Sequence, residues 1–147
     1  MNADGTNRRS VTSLRQPCVF PAWSPDGRIA FSSVGSSGGE DIFVMAPDGS
    51  NLSALWNDSD FDWMPAWSPD GSRIVFERNG YIFLVNQDGT GLTQLSPTTG
   101  SEPTWSPDGR HVMYNTYPSM TMSIVSVSDG RLVPASMPRG RQPSWGP

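Results

Sequence analysis

One seven-residue phrase, PAWSPDG, occurs twice without change, at residues 21–27 and 65–71. A near copy, PTWSPDG, occupies residues 103–109, and PSWGP stands at residues 143–147. The tryptophans of these phrases are Trp23, Trp67, Trp105 and Trp145, at intervals of 44, 38 and 40 residues. A period of about forty residues is typical of repeat architectures such as solenoids and propellers, in which each unit packs against the next.

A second marker, an Asp-Gly turn, keeps the same spacing. The segments NADGTN, APDGSN, NQDGTG and VSDGRL begin at residues 2, 46, 86 and 127. In the tryptophan phrase, proline presets φ, aspartate bonds the nearby backbone, and glycine accepts the left-handed conformation. We therefore predict structural turns that use the following residues: Asp26, Gly27, Asp70, Gly71, Asp108 and Gly109.

Short alternating strands separate these turns. RIAFSS at residues 28–33, RIVFE at 73–77 and HVMYNT at 111–116 place their large apolar residues on one face at period two. DIFVMA, YIFLVN and SIVSVS follow as third strands, and brief fourth strands end each unit. The pattern predicts an all-β chain without helices.

Proline stands two residues before each tryptophan, which predicts where the first strand of each unit lies. Because proline lacks an N–H group, it occurs at strand edges, bulges and strand starts. A first strand with one free edge fits the innermost position of a radial four-stranded sheet, which is a β-propeller blade. The tryptophan would then pack between neighbouring blades.

The predicted fold is therefore a partial β-propeller in one domain, with three complete four-stranded antiparallel blades and an orphan strand at each end. The predicted divisions are an orphan outer strand in residues 1–16, blades at 17–56, 57–96 and 97–136, and the start of a next blade at 137–147. Closed propellers have four to eight blades, so three blades leave two faces open. Either further blades belong to a longer protein, or two copies of the chain complete one ring.

Composition argues against several classes of partner. The chain has no lysine, and its net charge of −4 argues against nucleic-acid binding. No apolar stretch has the length of a membrane span, and no signal peptide is visible.

The pattern PxWSPDGxxIxF…DIFVMxxDGS resembles the WD-like propeller repeat of TolB-type proteins. Similar repeats occur in propellers attached to prolyl-oligopeptidase-like and tricorn-like peptidases. The resemblance extends over essentially the whole chain and implies a bacterial, periplasmic or otherwise extracytoplasmic setting. It implies a scaffold and carries no catalytic motif of its own.

Loops opposite the Asp-Gly turns differ in length and composition, and variable loops on a rigid scaffold usually carry binding. We predict a non-catalytic scaffold that binds a protein or peptide there, with these candidate contact residues: Trp56, Phe61, Trp63, Met64, Tyr117 and Met120. The alternative is an accessory propeller that controls substrate access in a larger peptidase or hydrolase. A propeller enzyme ranks last, because the inner strands are expected to offer only serine, threonine, proline and tryptophan.

Two apparent chemical motifs fail on inspection. GSSGG at residues 35–39 matches a nucleophile elbow around Ser37, but no helix follows it, and His111 should face solvent in the slot of Arg28 and Arg73. One histidine and one cysteine do not build a zinc site. Asp58, Asp60 and Asp62 alternate as in a calcium loop, but glycine and glutamate are missing at the required positions. A looser calcium site and a solvated acidic loop remain alternatives, and we predict no other cofactor.

Overall fold

A computed structural model describes residue 6 and residues 9–133, and every regular element in that part is a β-strand. The first sheet contains β1 (Cys18–Trp23), β2 (Ile29–Val34), β3 (Glu40–Met45) and β4 (Ser53–Ala54). The second contains β5 (Asp62–Trp67), β6 (Arg73–Arg78), β7 (Tyr81–Asn86) and β8 (Thr93–Gln94). The third contains β9 (Gly100–Trp105), β10 (His111–Thr116), β11 (Thr121–Ser126) and β12 (Leu132–Val133). The all-β prediction is confirmed.

Each sheet is a four-stranded antiparallel meander with its strands in sequence order. The inner strands β1, β5 and β9 lie next to one another across the three sheets. This places the sheets radially, as the blades of an open propeller. In a meander the turns after the first and third strands lie on one side, which we call the Asp-Gly side. The loops after the second and fourth strands lie on the opposite side, the variable-loop side.

The Ser-Pro-Asp-Gly turns form as predicted. Gly71 has a φ of 71° and its N–H donates to the carbonyl of Ser68 at 2.9 Å. The Ser68 hydroxyl donates to Asp70 at 2.6 Å and accepts from the N–H of Arg73 at 3.0 Å. The hydrogen bond from Ser68 is the largest of several that lower the pKa of Asp70 to about 2. Each turn is therefore held by its own serine and aspartate.

The repeated tryptophans join neighbouring blades. Trp67 is 7% exposed and packs in one apolar cluster with Ala30 and Ile42 of the first blade and Phe76 of its own blade. Trp105 repeats this arrangement between the second and third blades, and its indole N–H donates to the carbonyl of Ala66 at 3.0 Å. Apolar burial between blades thus provides much of the core.

Arginine covers each buried tryptophan from the preceding blade. The Arg28 guanidinium lies 4.6 Å from the ring centre of Trp67, and that of Arg73 lies 5.3 Å from Trp105. The prediction that this slot faces solvent is therefore wrong, because its side chain stacks on the next blade. His111 occupies the same slot in the third blade and is half-buried.

Proline interrupts each inner strand at a β-bulge. The register of β1 on β2 shifts between Val19 and Ala22, and the same shift recurs in β5 and β9. The strands begin upstream of the proline, so they are longer than the sequence pattern predicts. The residue before each proline has a positive φ, with values of 54°, 55° and 54° at Phe20, Met64 and Glu102. Such a conformation is uncommon for a residue other than glycine.

The chain ends differ from the predicted pattern. Residues 9–17 form no strand, so the predicted strand at 10–14 is wrong for the described residues. Val11 and Leu14 pack instead against the cluster of Ile29, Phe31 and Met45. They are held by apolar contact and have no ladder partner among the described residues. The predicted strand within 137–147, with Trp145, lies outside the described residues.

Candidate functional site

Backbone hydrogen bonds tie the loops of the variable-loop side together. The N–H of Glu40 donates to the carbonyl of Asp60 at 3.0 Å, which joins the first blade to the loop that enters the second. The remaining links are Asn79 to Phe61 at 3.1 Å, Gly100 to Gly80 at 2.8 Å and Tyr117 to Thr99 at 3.2 Å. The three blades therefore present one continuous, hydrogen-bonded loop surface.

Three of the predicted contact residues stand exposed on this surface. Phe61 is 49%, Tyr117 47% and Met120 44% exposed. The ring of Phe61 lies edge-on to Trp63, with 6.3 Å between the ring centres. The Tyr117 hydroxyl accepts a hydrogen bond from Ser101 at 3.1 Å, which fixes the ring over the inner strand β9. Held aromatic side chains of this kind lose little entropy on binding a partner.

The other three predicted contact residues are placed differently. Trp56 is half-buried, and its indole N–H donates to Asp62 at 2.8 Å. The Trp56 ring packs on Phe76 with 5.3 Å between centres, so it belongs to the contact between blades. Trp63 is half-buried and donates its indole N–H to Glu40. Met64 lies within β5 and lines a groove between the inner strands.

The acidic loop has an arginine among its carboxylates. The Arg78 guanidinium contacts Asp58 and lies 3.1 Å from both Asp60 and Asp62. Arg78 and Asp62 are both buried, and Arg78 also lies 5.2 Å from the ring centre of Trp56. No group of three or more metal-binding side chains is arranged to hold an ion among residues 9–133. The cation among these carboxylates is Arg78. The geometry therefore favours an ion-pair network that holds the loop in place, and it disfavours the predicted calcium site.

Burial dominates the electrostatics of this network. The pKa of Asp62 is raised to about 7, because burial disfavours the carboxylate more than Arg78 stabilises it. Burial also raises the pKa of Asp41, which is fully buried and has one carboxylate oxygen without a hydrogen bond among the described residues. These two carboxyls lie in the contact between the first two blades and have a structural role there.

The apparent nucleophile elbow has no catalytic geometry. Ser37 lies in the loop between β2 and β3 on the variable-loop side, where its N–H donates to Asn57 at 3.1 Å. His111 begins β10, so it lies at the Asp-Gly end of the blade. The two residues are at opposite ends of the sheets and do not form a dyad.

Sequence reasoning missed the charged residues of the inner strands. It expected only serine, threonine, proline and tryptophan there, but β5 begins with Asp62 and β9 contains Glu102. The error came from starting each inner strand at its proline. The bulge extends the strand upstream, and the residue before each proline, with its positive φ, then becomes part of the inner wall.

Two curated proteins resemble the chain in sequence. A protein TolB homolog of Chlorobium luteolum is 34% identical over 92 residues, which cover 58% of this chain and 21% of that protein. The Tol-Pal system protein TolB of Alcanivorax borkumensis is 34% identical over 76 residues, which cover 50% of this chain and 18% of that protein. The repeats of this chain are similar to the β-propeller repeats of these TolB proteins. The matches span about a fifth of the length of these relatives, and no family model matches.

Solved structures share the TolB-type fold. A putative TolB from Agrobacterium tumefaciens has a TM-score of 0.68 at 21% identity, over 80% of this chain and 48% of that one. A hydrazine synthase of Kuenenia stuttgartiensis has a TM-score of 0.66 at 19% identity, over 82% of this chain and 19% of that one. Because this architecture also occurs in an enzyme's structure, the fold alone assigns no activity. The described blades contain no helix that could cross a membrane.

Proposed function

We propose that the chain is a non-catalytic propeller scaffold that binds a protein or peptide through its variable-loop side. The observation that carries this proposal is the hydrogen-bonded loop surface, which presents Phe61, Tyr117 and Met120 at 44–49% exposure. Exposed aromatic and methionine side chains on a rigid base are typical anchors of protein interfaces. The loops are fixed to one another before any partner binds, which lowers the entropic cost of association.

The proposed partner is a component of a Tol-Pal system, because one relative carries that name. The proposed location is the periplasm, by the same resemblance. A protein partner suits the site better than a small molecule, since the exposed side chains are spread over two blades. Cell fractionation with antibody detection tests the location, and recovery in the cytoplasmic fraction would contradict it.

Binding of the purified chain to the Pal protein of its own source organism tests the surface directly. We expect Phe61→Ala and Met120→Ala each to raise the dissociation constant, measured by calorimetry, about fivefold or more. The matched control is Leu92→Ala, because Leu92 is 41% exposed but lies next to the turn between β7 and β8, on the Asp-Gly side. Equal weakening by Leu92→Ala would show that the surface is wrong. Absence of binding by the unsubstituted chain would show that the partner is wrong.

The accessory role in a peptidase or hydrolase remains the alternative prediction. Its distinguishing feature is a catalytic domain on the same polypeptide, which the flanking coding sequence would reveal. A downstream α/β-hydrolase domain would favour that alternative over the binding scaffold.

A further inference from the structure

The inner strands of the three blades form a groove that is separate from the variable loops. Its volume is about 330 Å³. The three blades line it with equivalent pairs of residues, each a proline and the residue before it: Phe20 and Pro21, Met64 and Pro65, and Glu102 and Pro103. Thr104 completes the wall. Five of the seven lining residues are apolar, and the polar side chains among them are Glu102 and Thr104.

An uncommon backbone conformation places these residues in the wall. Phe20, Met64 and Glu102 all have a φ close to 54°, and each stands at the bulge of its strand. Non-glycine residues in this conformation cost free energy and concentrate where function requires a side chain to be aimed. All three blades adopt this conformation at the groove, although the residue there differs from blade to blade. The position is thus constant and its chemistry is variable.

Glu102 is held in place by a buried neighbour. The side-chain amide of Asn115 donates to a carboxylate oxygen of Glu102 at 2.8 Å. Asn115 is 5% exposed, and its own amide oxygen has no hydrogen-bond partner among the described residues. Glu102 itself is half-buried, so it remains open to the groove. A fixed, partly desolvated carboxylate attracts a cation more strongly than one in free solvent.

Within residues 9–133, no arginine forms a salt bridge with Glu102. The described salt bridges involve Arg28, Arg78 and Arg131, and none includes Glu102. Glu77 lies close enough for its pKa to be raised to about 7, first by burial and then by the charge of Glu102. The groove therefore combines a negative charge with apolar walls from Phe20 and Met64. Lysine and arginine side chains have the matching form, an apolar stem that ends in a positive charge.

We propose that this groove binds a lysine or arginine side chain of a protein or peptide, with Glu102 pairing the charge and Phe20 and Met64 packing on the stem. The face of Phe20, which is 44% exposed, is available to a cation or to its stem. This site does not depend on the variable-loop surface, since none of its lining residues belongs to those loops. A partner that uses both sites would gain affinity from the second contact.

Small amino-acid derivatives test the groove without knowledge of the partner. The probes are Nα-acetyl-arginine methylamide and its neutral isostere Nα-acetyl-citrulline methylamide, titrated into the ¹⁵N-labelled chain and followed by amide chemical shifts. We expect saturable shifts at residues 100–105 with the arginine derivative and at least fivefold weaker binding of the citrulline derivative. Nα-acetyl-lysine methylamide, with its free ε-ammonium, should likewise bind more tightly than Nα-acetyl-norleucine methylamide.

Variants separate a specific charge pair from general attraction. Glu102→Gln should remove the preference for the cationic probes, whereas Asp88→Asn, an equal change of charge at an exposed turn, should leave it unchanged. Phe20→Ala, at an exposed position of the edge strand β1, should weaken binding of both members of each pair about twofold. Equal binding of charged and neutral probes, a preference that survives in Glu102→Gln, or an absence of saturable shifts would each overturn the proposal. These outcomes leave the test of the variable-loop surface unaffected.

Discussion

Trp23 and Trp67 stand in the same seven-residue phrase but in different surroundings, which allows a matched test of the packing between blades. Trp67 is 7% exposed between two blades, whereas Trp23 is 64% exposed because no described blade precedes it. A tryptophan side chain offers up to about 250 Å², so the difference in burial is about 140 Å². At about 25 cal/mol per Å², Trp67→Ala should cost about 3.5 kcal/mol more than Trp23→Ala in the free energy of unfolding.

Urea denaturation followed by far-UV circular dichroism measures this difference without relying on the fluorescence of the replaced residue. We expect Trp23→Ala to change the free energy of unfolding by less than about 1 kcal/mol. Trp67→Phe serves as the milder variant, because it keeps an aromatic ring in the same cluster. Sedimentation at the same concentration is the control, since association of two copies would cover Trp23. Equal losses from Trp23→Ala and Trp67→Ala in a monomeric sample would refute the radial packing of the blades.

Three further perturbations follow from buried groups. Arg78→Met leaves the Asp62 carboxylate buried without its cation, so it should lower the free energy of unfolding by about 3 kcal/mol at pH 8. The loss should be smaller at pH 5, where Asp62 takes up a proton. Urea denaturation at both pH values measures the two losses. The raised pKa of Glu77 means that the folded state keeps a proton that the unfolded chain releases near 4.5, so stability should fall as pH rises from about 4.5 to about 7. After allowance for solvent screening, Glu77→Gln should remove about 1 kcal/mol of that fall, and an unchanged pH profile would contradict the burial of its charge. Gly100→Ala should cost at least about 1 kcal/mol in thermal unfolding, because its new Cβ would stand 2.4 Å from the ring of Tyr114 and as close to a backbone oxygen.

The repeat made most of the fold predictable, because one phrase fixes a turn, a strand edge and a packing residue at once. Trp67 and Asp70 take the predicted places since their interactions are local or recur in every blade. The outer strand at residues 10–14 was not predictable in this way, because a strand is defined by its neighbour and no described strand pairs with it. The bulge was also missed, since the left-handed residue before proline has no fixed identity: it is Phe20, Met64 or Glu102.

The candidate binding surface was predicted only in part, for a physical reason. Hydropathy identifies aromatic residues in loops but does not say which of them has a buried polar partner. Trp56 and Trp63 each find a carboxylate for the indole N–H, which holds them in the contact between blades. Phe61 has no polar atom in its side chain to be held in this way, and it remains 49% exposed. For Trp56 and Trp63, the carboxylate partner on the neighbouring blade distinguishes a packing role from an exposed one.

The slot from which arginine covers the tryptophan of the following blade does not hold the same residue in all three blades. Arg28 and Arg73 stack on the tryptophan of the following blade, and the residue in that slot of the third blade is His111. A following tryptophan would meet the smaller imidazole ring of His111 where the first two blades offer a guanidinium. If a further blade packs on the third, His111→Ala should therefore weaken that contact and His111→Arg should keep it, as measured by urea denaturation of a chain that includes the further blade. Equal free energies of unfolding for His111→Ala and the unsubstituted chain would show that this slot does not face a tryptophan in the next blade.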